Sequence, residues 1–340
     1  AFAFDIDGVL IKGSKVLPPT RKMLQFISGE NPLGIKVPFI CLTNGGGVTE
    51  KQKAEQLSDM WSYAADTRAS QISPDRLVLA HSPMRALAET YADKLVLVLG
   101  GREKSCKQVA HHYGFRRVVQ PNDIYSWNTS VWPFKTTSTW LSGVGGDRFD
   151  FHKEPIQAIM MFHDSCDWGT DLQIAMDALL ARDGYLSTMR AADETAQQIP
   201  LYFSNPDLLW SNDFPVPRFA QGAFRVALEA LYKDVTGKKL EYTLFGKPET
   251  VTYQFAERAI RQQLSLADQQ DALMEPLQVY AVGDNPAADI AGANGYGWTS
   301  ILVRTGVFQG RDNDQKYPAA HVADHVGDAV RWAFEREMGV

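Results

Sequence analysis

The stretch Ala1–Leu10, AFAFDIDGVL, sets two carboxylates, Asp5 and Asp7, one residue apart behind an apolar tetrapeptide. A short apolar run of this kind reads as a buried strand. Aspartates at its end act as a cap and turn former in one reading. In a doubly wound sheet they also face the crevice where ligands bind. The i, i+2 spacing puts both side chains on one side if the strand continues through them. Two nearby carboxylates divide into nucleophile and general acid when their surroundings separate their proton affinities. A glycosidase pair or an Asp-x-Asp metal site would use the same letters, so the dipeptide alone leaves these readings open.

The rest of the chain narrows them. Pro18–Gly29 reads as a helix entered through prolines, VPFICLTN as a second apolar strand, and Thr49–Trp61 as a helix with Lys51 and Glu55 on its wetted side. The same alternation returns late: YTLF before GKPE, a helix over 250–264, the strand LQVYAVGDN, a helix over 287–293, the strand WTSILVRTG and the closing helix VGDAVRWAFERE. Continuous apolar strands alternating with helices predict a parallel sheet covered on both faces.

Between these halves, KLVLVLGG, IQAIMMFH, the amphipathic DWGTDLQIAMDALLARDG and QIPLYFSNPD form a second set of strands and helices. The expectation is therefore an α/β, Rossmann-like parallel-sheet core in two parts, 1–67 and 216–340, with an α/β cap inserted over 68–215. The Trp-rich run Trp127–Trp140 reads equally as a lid, a partner surface or ordinary packing.

Composition sets outer bounds. The chain has 340 residues, 45% of them hydrophobic, and a formal net charge of −6. That charge gives no general attraction to nucleic acid or anionic membrane, and no run is apolar enough to span a bilayer. Cys41, Cys106 and Cys166 are scattered and odd in number, which argues against disulfides and zinc clusters; Cys41 reads as a core thiol. The opening directly on a strand suggests a trimmed or processed start, with a leader out of view. Self-association as a homodimer stays open.

Four strand ends carry the chemistry. Asp5 and Asp7 end the first; Thr43 and Asn44 end FICLTN, beside glycines whose amides suit an anion. Lys247 follows YTLF and suits a phosphoryl charge. Asp284 ends AVGD as a hard oxygen ligand for Mg2+, with Asp289 five residues on. Helix capping explains Asn44, Thr43 or Asp289 singly, but not four polar strand ends at one sheet edge. Assembled, they point to phosphoryl transfer: Asp5 as nucleophile, Asp7 as acid/base, and Mg2+ on Asp5, Asp284 and the Asp7 carbonyl, with Lys247 and Thr43 offsetting charge. No Walker loop is present.

DIDGVL, LTNGGG, GKPE and GDNPAADIAGA resemble, in order, the four motifs of the haloacid-dehalogenase-like hydrolases. The resemblance implies the same roles for Asp5, Asp7, Thr43 and Lys247, Asp284 as metal ligand, Asp289 as its supporting neighbour, and Asn44 beside the substrate. The second aspartate implies phosphate hydrolysis over dehalogenation.

The long insertion and its SNPDLLW segment resemble the NagD-like subfamily with a large α/β cap. VLGGREKSCKQVAHHYGFRRVV and RFAQGAFRVALEALYKDVTGKKLEYTLFGKPE resemble the branch called cat eye syndrome critical region protein 5-like, or haloacid-dehalogenase-like domain-containing 5. That branch implies a fungal, mitochondrial protein, with a cytoplasmic alternative. Its fungal members carry phospholipid-synthesis labels, which point weakly to glycerophospholipid metabolism and do not match hydrolytic residues.

The expected activity is Mg2+-dependent hydrolysis of a small phosphorylated metabolite through an aspartyl-phosphate. The alternatives are phosphotransfer through the same intermediate and a non-catalytic partner protein that kept the fold. In the cap, Arg218, Gln221, Asn205 and Asp207 are the candidates for recognising the leaving group, and the alternative for Arg218 and Gln221 is that they hold the domain junction. Asn205 and Asp207 read as the return turn, and His163 and Asp164 as structural.

Overall fold

The computed structural model describes residues 1–62, 72–134, 149–191, 194, 196–266 and 276–339. Two parallel sheets organise them. The first runs His321–Ala323, Thr299–Val303, Tyr280–Gly283, Phe2–Phe4, Phe39–Leu42, Leu77–Val78. Every pairing in it is parallel. The strands next in sequence after Phe2–Phe4 lie on one side of it, and the late strands lie on the other. Phe2–Phe4 is therefore the switch point, where connecting helices diverge and leave a crevice at the carboxyl edge. This is the Rossmann-like α/β architecture expected from the apolar runs.

Burial on both faces explains the near-continuous apolar strands. Phe2 and Phe4 pack with Phe39, Cys41, Tyr280 and Val282 on one face, against the closing helix Val326–Met338. Ala3, Ile40 and Ala281 pack on the other, against the helix Thr250–Leu266. Cys41 is fully buried, as a core thiol should be, and burial pushes its proton affinity up to about 12.

The second sheet runs Thr243–Leu244, Leu201–Phe203, Ala158–Ser165, Val96–Gly101, Val118–Val119, again all parallel. A separate core of Leu97, Leu99, Ile159, Met161, Phe203 and Phe224 covers one of its faces. The helix Trp168–Leu180 supplies Ile174, Ala175 and Leu179 to that core, and its N-cap is Asp167, which accepts from the Thr170 amide. The hairpin Leu209–Trp210/Arg218–Phe219 leads from this sheet into the helix Gln221–Thr236.

Sheet membership bears on the expected division of the chain. Leu77–Val78 pairs with the first sheet, whereas Thr243–Leu244 joins the second. Strand pairing supports an exchange after Leu77–Val78 and a return after Thr243–Leu244, and on that ground we propose a wider cap than 68–215. The 67/68 boundary itself lies outside the described residues, as does the Trp-rich run beyond residue 134. Among the described residues no helix is long and apolar enough to cross a membrane.

Candidate active site

The register of the first sheet decides which polar residues meet. Phe4 pairs with Val282 on one side and Cys41 on the other. Asp5 is the next residue, its amide bonded to the Val282 carbonyl at 2.9 Å. Asp284 and Thr43 lie one residue past the level of Asp5 on the flanking strands. Asp5 and Asp7 do not share a continuing strand. The strand stops at Phe4, and the chain turns so that the Gly8, Leu10 and Ile11 amides bond to the Ile11 and Ile6 carbonyls. Gly8 makes that turn at φ +89, and a Cβ there would lie 2.4 Å from an Asp284 oxygen. The Thr305 hydroxyl donates to the Gly8 carbonyl and ties the turn to the far side of the sheet.

Lys247 arrives differently from expectation. The strand before it is Thr243–Leu244 of the second sheet, so only three of the four polar strand ends belong to one edge. Its ammonium crosses to the first sheet and donates to Asp5 Oδ1 at 2.8 Å and Asp289 Oδ1 at 2.5 Å. Its side chain is 4% exposed. Burial works against that charge, but Asp289 and Asp5 outweigh it and hold the amine protonated well above its ordinary range. The Lys247 amide also donates to Asn44 Oδ1 at 2.7 Å, and Asn44 Nδ2 donates to the Lys247 carbonyl at 2.9 Å. Asn44 thus clamps the lysine loop at both ends.

Asp289 does not sit in an ordinary helical turn. Pro286–Ile290 forms a π-helical turn before the helix Ala291–Tyr296, within the region expected to be regular helix over 287–293. Such bulges are enriched at functional sites. Asp289 Oδ2 accepts from the Asn285 amide at 2.9 Å, which aims its other oxygen at Lys247. Thr43 Oγ1 accepts from the Gly45 amide at 3.0 Å.

Asp5, Asp284 and Asp289 each offer a carboxylate oxygen, all within 4.8 Å of one another. Burial, then Asp5 and Asp289, push the Asp284 carboxyl well above its ordinary range. Burial pushes Asp289 up to about 6 despite the pull of Lys247. Crowded, buried, hard oxygen donors that repel one another suit a divalent cation such as Mg2+, which would relieve the repulsion. The Asp7 carbonyl accepts no hydrogen bond among the described residues and is available as a further oxygen donor. Asp7's own carboxyl is raised by burial, with Lys53 opposing.

These groups line a cavity of about 250 Å³, at or below the low end of ordinary small-molecule sites of roughly 300–1,000 Å³. The lining corrects the cap expectations. Arg218 is not part of it; the guanidinium lies 4.6 Å from the Phe214 ring centre on the exposed hairpin. Asn205 and Asp207 do make a turn, through the Asp207 amide on Asn205 Oδ1 at 2.7 Å, but they also line the cavity. Asn205 donates to the Asn44 carbonyl, and Asp207 accepts from Asn44 Nδ2, both at 3.0 Å. Gln221 accepts from the Asn205 amide at 3.0 Å and donates to Ser204 Oγ at 3.1 Å. His163 and Asp164 line the cavity rather than standing apart from it.

Lys53, Trp210 and Ser211 also line it and carried no motif signal. Lys53 had one indirect cue, its position in the first turn of the helix that comes after Thr43. Gly46 shows how tightly the two sheets meet. A Cβ there would lie 2.8 Å from both His81 Cδ2 and the Phe162 carbonyl.

Two family models match this chain, one described as haloacid dehalogenase-like hydrolase over residues 2–116, the other as HAD-hydrolase-like over 244–329. The mitochondrial hydrolase YKR070W of Saccharomyces cerevisiae is 34% identical over 352 residues, covering 99% of this chain and 96% of its own length. This chain belongs to the haloacid dehalogenase-like hydrolases. A Schizosaccharomyces pombe relative named as a cardiolipin synthase (CMP-forming) / mitochondrial hydrolase fusion protein is 41% identical over 343 residues. The alignment covers 99% of this chain and 53% of the fusion protein, so the chain spans about half of that relative's length. NagD from Escherichia coli K-12 superposes with a TM-score of 0.57 at 15% identity, over 96% of each chain. A p-nitrophenyl phosphatase from Archaeoglobus fulgidus gives 0.59 at 17% identity, over 97% and 98%. At that identity the two structures share its fold. The architecture of this chain is NagD-like, and residues from both sheets line the cavity.

Asp207 gives the site a pH signature. Burial raises its carboxyl from 3.8 to about 7, although Asn44 pulls the other way. An acid whose proton affinity rises on folding contributes stability that is complete below 3.8 and is lost as pH rises through 7. The full shift corresponds to at most about 4 kcal/mol. In EDTA-containing buffer, the urea midpoint of Asp207→Asn should fall less steeply than wild type between pH 4 and 7.5. Parallel slopes would show that Asp207 does not titrate in that window.

Proposed function

We propose that this chain is a Mg2+-dependent phosphomonoester hydrolase that works through an aspartyl-phosphate on a small phosphorylated metabolite. The observation that carries the reading is Lys247 bridging Asp5 and Asp289, with Asp7 and Asp284 lining the same small cavity at the switch point.

In this reading an Asp5 carboxylate oxygen attacks phosphorus and the bond from phosphorus to the alcohol oxygen breaks. Asp7, whose carboxyl burial pushes above its ordinary range, gives its proton to the leaving oxygen. The ionised Asp7 then takes a proton from the water that attacks the aspartyl-phosphate, which releases inorganic phosphate and regenerates Asp5. Lys247 and the Thr43 hydroxyl hold the phosphoryl oxygens as charge builds on them. Asp5, Asp284 and the Asp7 carbonyl, supported by Asp289, would hold Mg2+, which supplies charge neutralisation at the transferring group. The small cavity supports a small substrate, and the names of the two fungal relatives support a mitochondrial setting.

The test is phosphate release from sugar, glycerol, nucleotide and lipid-derived phosphomonoesters with no acceptor alcohol added, which separates hydrolysis from phosphotransfer. Release should be abolished by EDTA and restored by Mg2+ in excess. Release that persists in EDTA would overturn the metal dependence.

A further inference from the structure

We infer that Lys53 and His163 form a subsite for a second anionic group, carried on the alcohol half of the substrate. The inference deepens the phosphomonoester reading and rests on it.

The two lysines in the cavity differ in what holds them. Lys247 is bound by Asp5 and Asp289. Lys53, half-buried on the helix Glu50–Ser62, lines the same cavity, and its ammonium makes no hydrogen bond or ion pair among the described residues. The cavity holds the carboxylates of Asp5, Asp7, Asp164, Asp207, Asp284 and Asp289, yet none pairs with it. A half-buried ammonium left unpaired beside so many acids is placed to meet a charge that arrives from outside.

Position assigns that charge to the alcohol half. The phosphoryl group must sit against Asp5, between Thr43 and Lys247. In the proposed reaction the leaving oxygen departs on the Asp7 side. Lys53 is the charged neighbour with the largest influence on Asp7, ahead of Asp5 and Lys247. The helix that carries Lys53 therefore borders the side of the cavity where the alcohol departs.

His163 completes the wall from the other sheet. It lies on the strand Ala158–Ser165, and its ring is pressed onto the Thr43–Gly47 loop, where a Cβ on Gly47 would meet His163 Cδ2 at 2.5 Å. Its Nδ1 is 4.0 Å from Asp164 Oδ2, too long for a hydrogen bond that would occupy it. Burial works hardest against a proton on His163, Asp164 favours one, and Lys53 and Arg102 oppose it, so both cations lie within electrostatic reach of this wall. Asp164 is the opposing charge, and its carboxylate is held by the Gln221 amide at the start of a 16-residue helix. Leu209 and Trp210 on the hairpin offer apolar surface to the carbon part of the same ligand. A carboxylate or a second phosphate would satisfy Lys53 and His163 alike.

The experiment uses two matched pairs, glycerol 3-phosphate with 3-phosphoglycerate, and fructose 6-phosphate with fructose 1,6-bisphosphate. Each pair adds one anionic group, a carboxylate in the first and a phosphate in the second. With Mg2+ at low salt, kcat/KM should favour the anionic member of at least one pair by about tenfold to a hundredfold, the range of one charge-assisted hydrogen bond. The pair that shows it identifies the group. That ratio should fall at least tenfold in Lys53→Met and in Lys53→Gln, stay within threefold in Lys53→Arg, and shrink in wild type as salt rises. No preference in either pair, or a ratio unmoved by Lys53→Met and Lys53→Gln, would overturn the subsite while leaving the phosphatase reading intact. If wild type hydrolyses none of the four compounds, the phosphatase reading fails for them. Calorimetric titration of Asp5→Asn protein with the same four compounds then decides the subsite. A tenfold binding preference lost in Asp5→Asn/Lys53→Gln supports it, and its absence overturns it.

Discussion

Asp5→Asn should lower phosphate release by at least about 10⁴-fold while leaving the fold in place. The amide oxygen is a poor nucleophile toward phosphorus, and no neighbour substitutes for it: Asp284 ends the adjacent strand one residue further on, and Asp289 is held by Lys247 and the Asn285 amide. Stability should change little because two effects oppose. Lys247 loses a charged partner but keeps Asp289 at 2.5 Å. Asp284 and Asp289 lose a like-charged neighbour that helps to raise both. One charge-assisted hydrogen bond is worth about 1.5–3 kcal/mol, and relief of repulsion between buried carboxylates is of similar size. The net should lie within about 1–2 kcal/mol by urea unfolding. Release within tenfold of wild type would remove Asp5 as nucleophile. A loss of activity together with a collapse of the urea transition would make the residue structural.

Lys247→Met should fail in both respects. Activity should fall by about 10²- to 10³-fold, the usual consequence of removing one preorganised donor from a developing charge. The fold should lose about 3–5 kcal/mol, because deleting one partner of a buried ion network leaves the others uncompensated. Here the remaining groups are Asp5, Asp284 and Asp289, with oxygens within 4.8 Å of one another. Their environments set the sign of the pH dependence. Asp289 titrates at about 6 with the lysine present, and Asp284 is raised well above the ordinary range. Without the lysine both rise further, so protonation relieves the repulsion as pH falls. The deficit against wild type should be largest near pH 8 in EDTA and should shrink toward pH 5.5. Thermal and urea unfolding at the two pH values measure it. A deficit that grows at pH 5.5, or is absent at pH 8, would show that Lys247 does not hold these carboxylates together.

Three of the four polar strand ends were legible because the signal is local. Apolar runs of four residues leading into Asp5, Thr43 and Asp284 mark where buried strands emerge at a ligand-binding edge. The fourth, Lys247, was legible as a residue but not as a neighbour. A strand as short as Thr243–Leu244 carries no mark of the sheet it joins, since membership depends on which partner strand, here Leu201–Phe203, offers free backbone groups. Which cap residues reach the cavity was illegible for the same physical reason. His163 and Arg218 both lie on strands, at Ala158–Ser165 and Arg218–Phe219. Only the seating of one sheet over the other turns His163 toward the cavity and leaves Arg218 over Phe214.

From its residues alone this chain determined an α/β parallel-sheet class, a second set of strands between two halves, and the acids and lysine able to do phosphoryl chemistry. All of that is written in periodicity and in the polar residues that end each apolar run, a signal contained within a few positions of the chain. The tertiary structure decided the rest. It carried Lys247 across from the second sheet to Asp5 and Asp289, and made the half-buried Asp207 a hydrogen-bonded neighbour of Asn44. It also left Lys53 unpaired at the cavity wall. Those facts depend on groups brought together from positions 5, 44, 53, 207, 247 and 289, and on their shared removal from water, neither of which a local pattern encodes.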